Sequence, residues 1–516
     1  MAGLLIGPGA WRSDEARTRE QDSGFGWRGW HVSGWGDEVA PRLLLVGAML
    51  AYALYFGRLS IGSFEAFYHP GFDLGIYDQG IWLLSRLKTP FITIMGLNLF
   101  GDHVSYILFL LVPFYWVWPS AQVLLVLQTL ALALAAVPVF LLSRKVLRSS
   151  WFALFPAVGF LLTPAVGWLN LENFHPDSFE VALFLFAIYF MSERRWRAYF
   201  TMVILLLAVK EDVPLVVFPL GVYVALTCDR RRGLMTSYLA ALWFIVTVFF
   251  LQPVLSHVGP GKLDAFRIPF GGLGGLLSTL LHEPWQAIAY MLTAQKIKYL
   301  LQLLLPVLLL PMFSSFSLVV VLVVLVNLLS TFSYQFDIQY HYTSLLIAGI
   351  AAGAIFSLAK VAVINSRRTL AVGMCLAALL AAYTWGPFQW SRTPAILHDP
   401  QGAEAAALRE AVSLIPDEAV VSARSRFTTH LTHREEIYDY PTPFYAVYWG
   451  DDSLRGKRLP AADRVEYVLE RPDRIEGPAA EIWPTLANEG FVEIFSEEGI
   501  VLLKRLGSGT ARGGPP

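Results

Sequence analysis

Carboxylates and imidazoles stand in short clusters beside long apolar runs in this chain. The first cluster is Phe72-Asp73-Leu74-Gly75-Ile76-Tyr77-Asp78-Gln79-Gly80. Others are Gly101-Asp102-His103, Glu172-Asn173-Phe174-His175-Pro176-Asp177, Lys210-Glu211-Asp212 and Gln339-Tyr340-His341-Tyr342. Ionisable groups next to lipid are costly, so such clusters mark functional sites by default. A carboxylate can take a proton from a hydroxyl within hydrogen-bond reach. Asp and His a few residues apart can share a proton or hold a metal. A lysine such as Lys210 can attract a phosphate as a point charge.

The elements that must position these residues are membrane spans. The chain has 516 residues, 55% hydrophobic and 15% charged, with a mean hydropathy of +0.52. A soluble domain carries about 25% charged residues. A net charge of -1 argues against nucleic acid as a partner, because such binders show a basic face. Cys228 and Cys375 fall in or near apolar spans, which disfavours a disulfide framework. Apolar spans run over 43–60, 121–142, 151–167, 179–192, 197–210, 213–227, 234–252, 298–312, 316–332, 343–361 and 369–386. The first residues, 1–42, read as a flexible cytoplasmic tail and 507–516 as a disordered one.

Orientation depends on the short apolar stretch 104–118, with Pro113, Trp116 and Trp118. If it crosses, the basic loops at Arg144-Lys145, Arg194-Arg195 and Arg230-Arg231-Arg232 all fall outside, inverting the positive-inside rule. If it lies in the outer interface, as its tryptophans suggest, those loops are cytoplasmic, together with Arg42, Lys360, Arg367 and Arg368. The second arrangement gives about eleven spans, a cytoplasmic N-terminus and an external C-terminus. It places every cluster, and all the histidines except His31, on the external side.

Residues 43–387 therefore form the transmembrane domain, with a long external loop at 61–120 that contains juxtamembrane helices. The loop at 253–297, with Gly259-Pro260-Gly261 and Gly271-Gly272, matches no phosphate-binding spacing; it suits a mobile cover over a site or a plain connector. Beyond 388 charge rises and apolar runs shorten. A helix is expected over 402–414, another over 481–488, and strands at 419–423, 437–440, 465–469, 491–495 and 500–503. Residues 388–506 read as a small external α/β domain.

Each cluster has a plain structural alternative. Asp73 can cap a helix bearing Ile76, Gly80, Leu84 and Leu87 on one side. Asp78 then lies about 140° further round, so the two carboxylates do not share a face, and Asp78 is favoured for chemistry. Asp177 can cap the helix that starts near Ser178. Lys210, Glu211 and Asp212 can satisfy one another in a turn. His430 and His433 read as surface residues. No Ser-His-Asp arrangement, His-Glu-x-x-His spacing or Walker motif is present, which disfavours covalent hydrolase and ATP-driven readings.

The strings from His69 to Gly80 (HPGFDLGIYDQG), Gly101 to His103, Asn173 to Asp177, Lys210 to Pro214 (KEDVP) and Tyr340 to Tyr342 resemble the bacterial membrane-protein family called domain of unknown function 2079, over roughly 45–450. Its layout is similar to the GT-C superfamily of polyprenyl-phosphate-sugar glycosyltransferases. The resemblance implies a polytopic α-helical GT-C-like fold and sugar transfer from a polyprenyl-phosphate donor to an extracytoplasmic acceptor in the cell envelope. It implies Asp73 or Asp78 as catalytic base. Asp102, His103, Glu172, His175, Asp177, Lys210, Glu211, Asp212, Gln339 and His341 would bind substrate, and the external domain would bind the acceptor glycan. A divalent metal would sit among Asp78, His175 and Asp177. The chain departs from the superfamily's Lys-Gly-Pro turn by adding Glu211 and Asp212, which weakens simple phosphate attraction by Lys210. Two other classes compete. A transporter or lipid-linked-glycan flippase would place its carboxylates near the midplane; a non-catalytic envelope scaffold would use the clusters only as caps.

Overall fold

The computed structural model describes residues 35–256, 267–447, 450 and 452–507. Five helices are long and apolar enough to cross a membrane: Glu38–Glu65, Gln122–Leu147, Arg230–Ser256, His341–Lys360 and Ile364–Trp385. A sixth span is possible if Ser150–Leu162 and Pro164–Glu172, bent by 43°, count as one. The remaining apolar runs form shorter helices, including Asp177–Ser192, Trp196–Leu207 and Pro214–Thr227, so the architecture is multi-pass while the expected eleven spans are not reached by length. The run at 298–312 is not one helix. It stops at Leu304, and Leu308 and Leu309 take left-handed φ of 55° and 57°. Pro306 and Pro311 explain the break: each removes an N–H donor and crowds the preceding turn, which hydropathy does not register.

Among the described residues the first helix runs over Trp35–Glu65, so it reaches into the stretch read as a tail; residues 1–34 lie outside the described region. Its Glu38 carboxylate accepts from Arg42 one turn on and from Arg144 at 3.4 Å. The stretch 104–118 forms a 3-10 turn, Tyr106–Leu110, and a short helix, Val112–Val117. Its helical part is about 18 Å long at 1.5 Å per residue, against a hydrocarbon core of about 30 Å. Trp116 and Val117 are exposed and Tyr115 is buried, the signature of a helix lying along a surface.

In the loop expected to be external, Ile76–Ser85 is helical. Leu87, expected on its apolar side, falls beyond the end and is fully exposed. Strands β1 (Phe91–Ile92) and β2 (Leu97–Asn98) make a small antiparallel ladder. The loop beyond Ser256 carries helices Leu273–His282 and Pro284–Met291. Gly259-Pro260-Gly261 and the terminal stretch 508–516 lie outside the described residues.

The C-terminal residues form a five-stranded sheet from β3 (Val421–Ala423), β4 (Ile437–Asp439), β5 (Tyr467–Glu470), β6 (Phe491–Glu497) and β7 (Ile500–Arg505), in the order β4-β3-β5-β7-β6. β3 runs parallel to β4 and β5, and β5–β7 and β6–β7 are antiparallel. Glu498 and Gly499, with φ of 51° and 77°, supply the two positive-φ positions of a tight hairpin turn. Successive residues serve opposite faces. Val421, Ala423, Leu469 and Leu502 join the core that continues into the membrane helices, while Val468 and Phe491 pack with Tyr440, Phe444 and Leu486 behind the sheet.

The tightest helix pair is Pro214–Thr227 against Arg230–Val246. A Cβ on Gly233 would lie 2.1 Å from the Ala225 nitrogen, and one on Gly221 would lie 2.5 Å from the Ser237 nitrogen. Gly233→Val should therefore force the helices apart and lower stability by about 1–3 kcal/mol, read as an earlier thermal transition in detergent. Gly47→Ala, where a Cβ meets open space, should leave the transition within error.

Candidate functional site

The bent helix ending at Glu172, the loop 173–176, the start of Asp177–Ser192, the turn at 210–213 and the turn leading into Ser344–Lys360 converge at one end of the bundle. Gln128 fixes the loop. Its amide nitrogen donates to the carbonyls of Asn170 (3.0 Å) and Asn173 (2.7 Å), and its carbonyl oxygen accepts from the His175 nitrogen at 3.0 Å. His69 Nδ1 adds a 2.9 Å contact to Asn173 Oδ1. His175 is thereby held in the interior with 4% of its side chain exposed.

Three carboxylates surround the imidazoles. Glu172 accepts from the His341 backbone nitrogen at 2.6 Å and lies 3.1 Å from His341 Nδ1. His175 stacks on His341 with ring centroids 3.8 Å apart. His175 Nε2 is 3.4 Å from Asp73 Oδ1, and its Nδ1 is 3.9 Å from Glu172 Oε2. Beside them, Lys210 Nζ donates to Asp177 Oδ1 at 3.0 Å, both side chains buried, and lies 5.7 Å over the Tyr342 ring. Burial alone would push the Lys210 pKa down; Asp177, then Asp212 and Glu211, outweigh it and raise it. For Asp73, burial pushes the carboxyl up, but His175 outweighs it and the group is held below its usual value.

Asp73 does not cap the following helix, whose N-terminus carries no side-chain cap. Its backbone stands at φ 71°, ψ -91°, a strained region that costs of order 1–3 kcal/mol and persists only when surroundings enforce it. That conformation aims the carboxylate at His175, with about a third of its side chain exposed. Asp177 is no cap either; its partner is Lys210.

Asp78, favoured as the base, is not in this cluster. It is buried, accepting from Tyr115 at 2.6 Å and from the Thr432 hydroxyl, with His433 Nε2 at 3.2 Å. The helix geometry that separates it from Asp73 turns it toward the C-terminal domain. His433 is therefore not a free surface residue, and neither is His430, which stacks on Phe67 at 3.8 Å and Phe64 at 4.2 Å. Gln339 is exposed in a turn, its nitrogen donating to Asp337 at 3.0 Å, because the backbone there turns away before His341.

Lys210 and Glu211 find their nearest partners outside this triplet. Glu211 accepts from His103 Nδ1 (2.8 Å) and the Val104 nitrogen (3.1 Å), while Asp102 lies 3.8 Å from His103 Nε2. Asp212 Oδ1 is buried without a hydrogen bond. The site also contains Glu180, missed in the sequence. It accepts from Ser344 at 2.5 Å, with its other oxygen buried and unbonded. Its signal was available: an acid one turn after Asp177 inside an apolar helix.

Glu172, His175 and His341 offer ligand atoms all within 4.8 Å of one another, and neither His175 nitrogen has a hydrogen bond. Two imidazoles and a carboxylate suit a divalent transition metal. Of the residues expected to hold one, only His175 belongs to this group: Asp78 sits elsewhere and Asp177 is taken by Lys210.

The fold defines a multi-pass membrane protein. The chain belongs to the family described as "Predicted membrane protein (DUF2079)", whose model matches residues 64–473. Among solved structures it is similar to ArnT from Cupriavidus metallidurans bound to undecaprenyl phosphate, with a TM-score of 0.51 and 12% identity over 93% of this chain and 100% of that one. The apo ArnT structure gives a TM-score of 0.50 and 11% identity over 90% and 98%. No curated protein matches the chain.

His103 gives the site's pH signature. Burial pushes its pKa down, but Asp102 and Glu211 outweigh it and raise it from 6.5 to about 9. A raised folded pKa contributes stability that is full below 6.5 and is lost as pH rises through about 9. Thermal stability of the wild type should fall across that window more steeply than that of His103→Gln, measured by melting in detergent at a series of pH values.

Proposed function

We propose that this protein is an inverting glycosyltransferase of the cell membrane, moving a sugar from a polyprenyl-phosphate donor to a hydroxyl of an extracytoplasmic acceptor. The site faces outward in this reading, with the N-terminus cytoplasmic and the C-terminal sheet external, as the basic loops favour. The observation that carries the proposal is Asp73. It is the part-exposed carboxylate of the cluster, held in a strained backbone at the mouth of a buried array of charges, on a fold like that of ArnT, which was crystallised with undecaprenyl phosphate.

Asp73 takes the proton from the acceptor hydroxyl. The hydroxyl oxygen then bonds to the sugar's anomeric carbon as the bond from that carbon to the phosphate oxygen breaks, so polyprenyl phosphate leaves and the configuration inverts. His175, beside Asp73, orients the carboxylate and balances its charge. Lys210 is largely neutralised by Asp177, so it serves the phosphate less than its position suggests. Glu172, His175 and His341 would hold a divalent metal, which supplies Lewis-acid charge toward phosphate oxygens when bound.

Two measurements test the reading. In proteoliposomes given undecaprenyl-phosphate-linked radiolabelled sugars and envelope acceptor, Asp73→Asn should lower transfer at least 100-fold, the scale of general-base loss, without changing folding. Undiminished transfer would remove Asp73 as the base. Separately, purified wild type dialysed against zinc or manganese should retain about one equivalent by elemental analysis. Glu172→Gln and His341→Ala should retain far less; equal retention by these variants would sink the metal site.

A further inference from the structure

The C-terminal domain is expected to receive the acceptor. Its contacts point to a further task. Residues on both sides of Asp73 are tied to one segment of that domain. Before it, the Phe64 carbonyl meets His430 Nε2 at 2.9 Å, the His69 carbonyl accepts from Thr429 at 3.1 Å, and the Gly71 nitrogen donates to Ser425 Oγ at 3.1 Å. After it, Asp78 is bonded by Thr432 and His433, and Gln79 donates to the carbonyls of Arg434 and Glu435, both at 3.3 Å. Thr93 closes the set, donating to the Ile437 carbonyl at 2.6 Å.

The glycines report how close the two pieces come. A Cβ on Gly71 would stand 2.6 Å from Asp439 Oδ1 and 2.9 Å from Thr428 Cβ. On Gly75 it would meet Thr432 Cγ2 at 3.4 Å and Thr429 Cγ2 at 3.6 Å. Backbone therefore packs directly onto side chains on both sides of Asp73, whose φ of 71° needs outside support. Thr432 is central: its methyl packs on Gly75 and its hydroxyl serves Asp78, which is also fixed by Tyr115 of the short helix Val112–Val117.

We infer that the segment Ser425–Ile437 is a clamp that sets the shape of the 71–80 loop, with Thr432 as a positioning residue for Asp73; this rests on the assignment of Asp73 as base. Thr432 touches no reacting atom. It acts by keeping the Asp73 carboxylate in register with the cluster at Glu172 and His175, so loosening it lowers the rate of the chemical step while donor binding, which does not run through Thr432, is retained.

The test uses the full-length protein in proteoliposomes. Thr432→Val keeps the shape and loses the hydroxyl. It should lower kcat for sugar transfer by about tenfold or more, leave KM for the donor unchanged, and speed amide hydrogen exchange in 71–78 without changing exchange in the membrane helices. Thr432→Ser, which keeps the hydroxyl, should restore kcat and exchange. Ser425→Ala, at the other end of the clamp, should act in the same direction and covers the case in which Thr432→Val does not fold. Wild-type kcat and exchange in both variants would overturn the clamp, as would a loss accompanied by faster exchange throughout the protein, or one that Thr432→Ser does not relieve. If Asp73→Asn itself retains transfer, the base assignment fails, and the exchange measurement still decides whether the segment orders the loop.

Discussion

The constraint on which this molecule depends is the cost of taking charge out of water at the end of a membrane bundle. Asp177 and Lys210 are each almost wholly buried, and Glu172, Glu211, His175 and His341 have little contact with solvent. Isolated, any of them would cost several kcal/mol to bury. Each instead meets an opposite or hydrogen-bonding partner on another element: Lys210 with Asp177, His341 with Glu172, His103 with Glu211. Breaking such a pair leaves an uncompensated charge at a cost of about 3–5 kcal/mol. The helix ends and turns that carry these residues are therefore fixed relative to one another by electrostatics as well as by packing.

That arrangement also explains the division of labour between the two aspartates of the first loop. Asp78 lies in the helix that begins at Ile76, while Asp73 precedes it with a non-helical backbone, and the two carboxylates meet different partners. Asp78 points into the joint with the C-terminal domain and is saturated by Tyr115, Thr432 and His433. Asp73 stays outside the helix, with a backbone no ordinary turn would choose and an accessible carboxylate. The structure places Asp73, not Asp78, beside His175; sequence reasoning favoured Asp78 for chemistry because helix capping, the plain use of an aspartate before a helix, was available to Asp73. Only the positive φ shows that it is not used.

What was legible follows the same logic. The clusters could be read because charge beside apolar runs is rare, and the five strands because alternation and turn residues mark them locally. The ionic partners could not be read: His341 is 169 positions from Glu172 and Lys210 is 33 from Asp177, and no local pattern encodes either pairing. The break after Leu304 was hidden because Leu308 and Leu309 are as apolar as any span residue. Thr432 and Ser425 were invisible for another reason. A hydroxyl in a polar domain carries no signal until its partner, 354 positions away in both Asp78–Thr432 and Gly71–Ser425, is known.

The two halves of the architecture thus act on one residue from opposite sides. The membrane helices deliver the buried charges that face the Asp73 carboxylate, and the C-terminal sheet grips the backbone on which Asp73 sits. The core is continuous from Leu45 in the first helix to Leu502 in β7, so a movement of the sheet relative to the bundle cannot leave the loop untouched. Tyr115 extends this coupling to the surface-lying helix, since its hydroxyl shares Asp78 with Thr432 while its neighbour Trp116 is exposed and donates to the Ser85 carbonyl at 3.0 Å. A buried carboxylate bonded at once by Tyr115 and by the C-terminal domain ties the short helix Val112–Val117, the loop and the sheet into one unit. Asp78 therefore ties the loop that carries Asp73 both to the short helix Val112–Val117 and to the C-terminal domain.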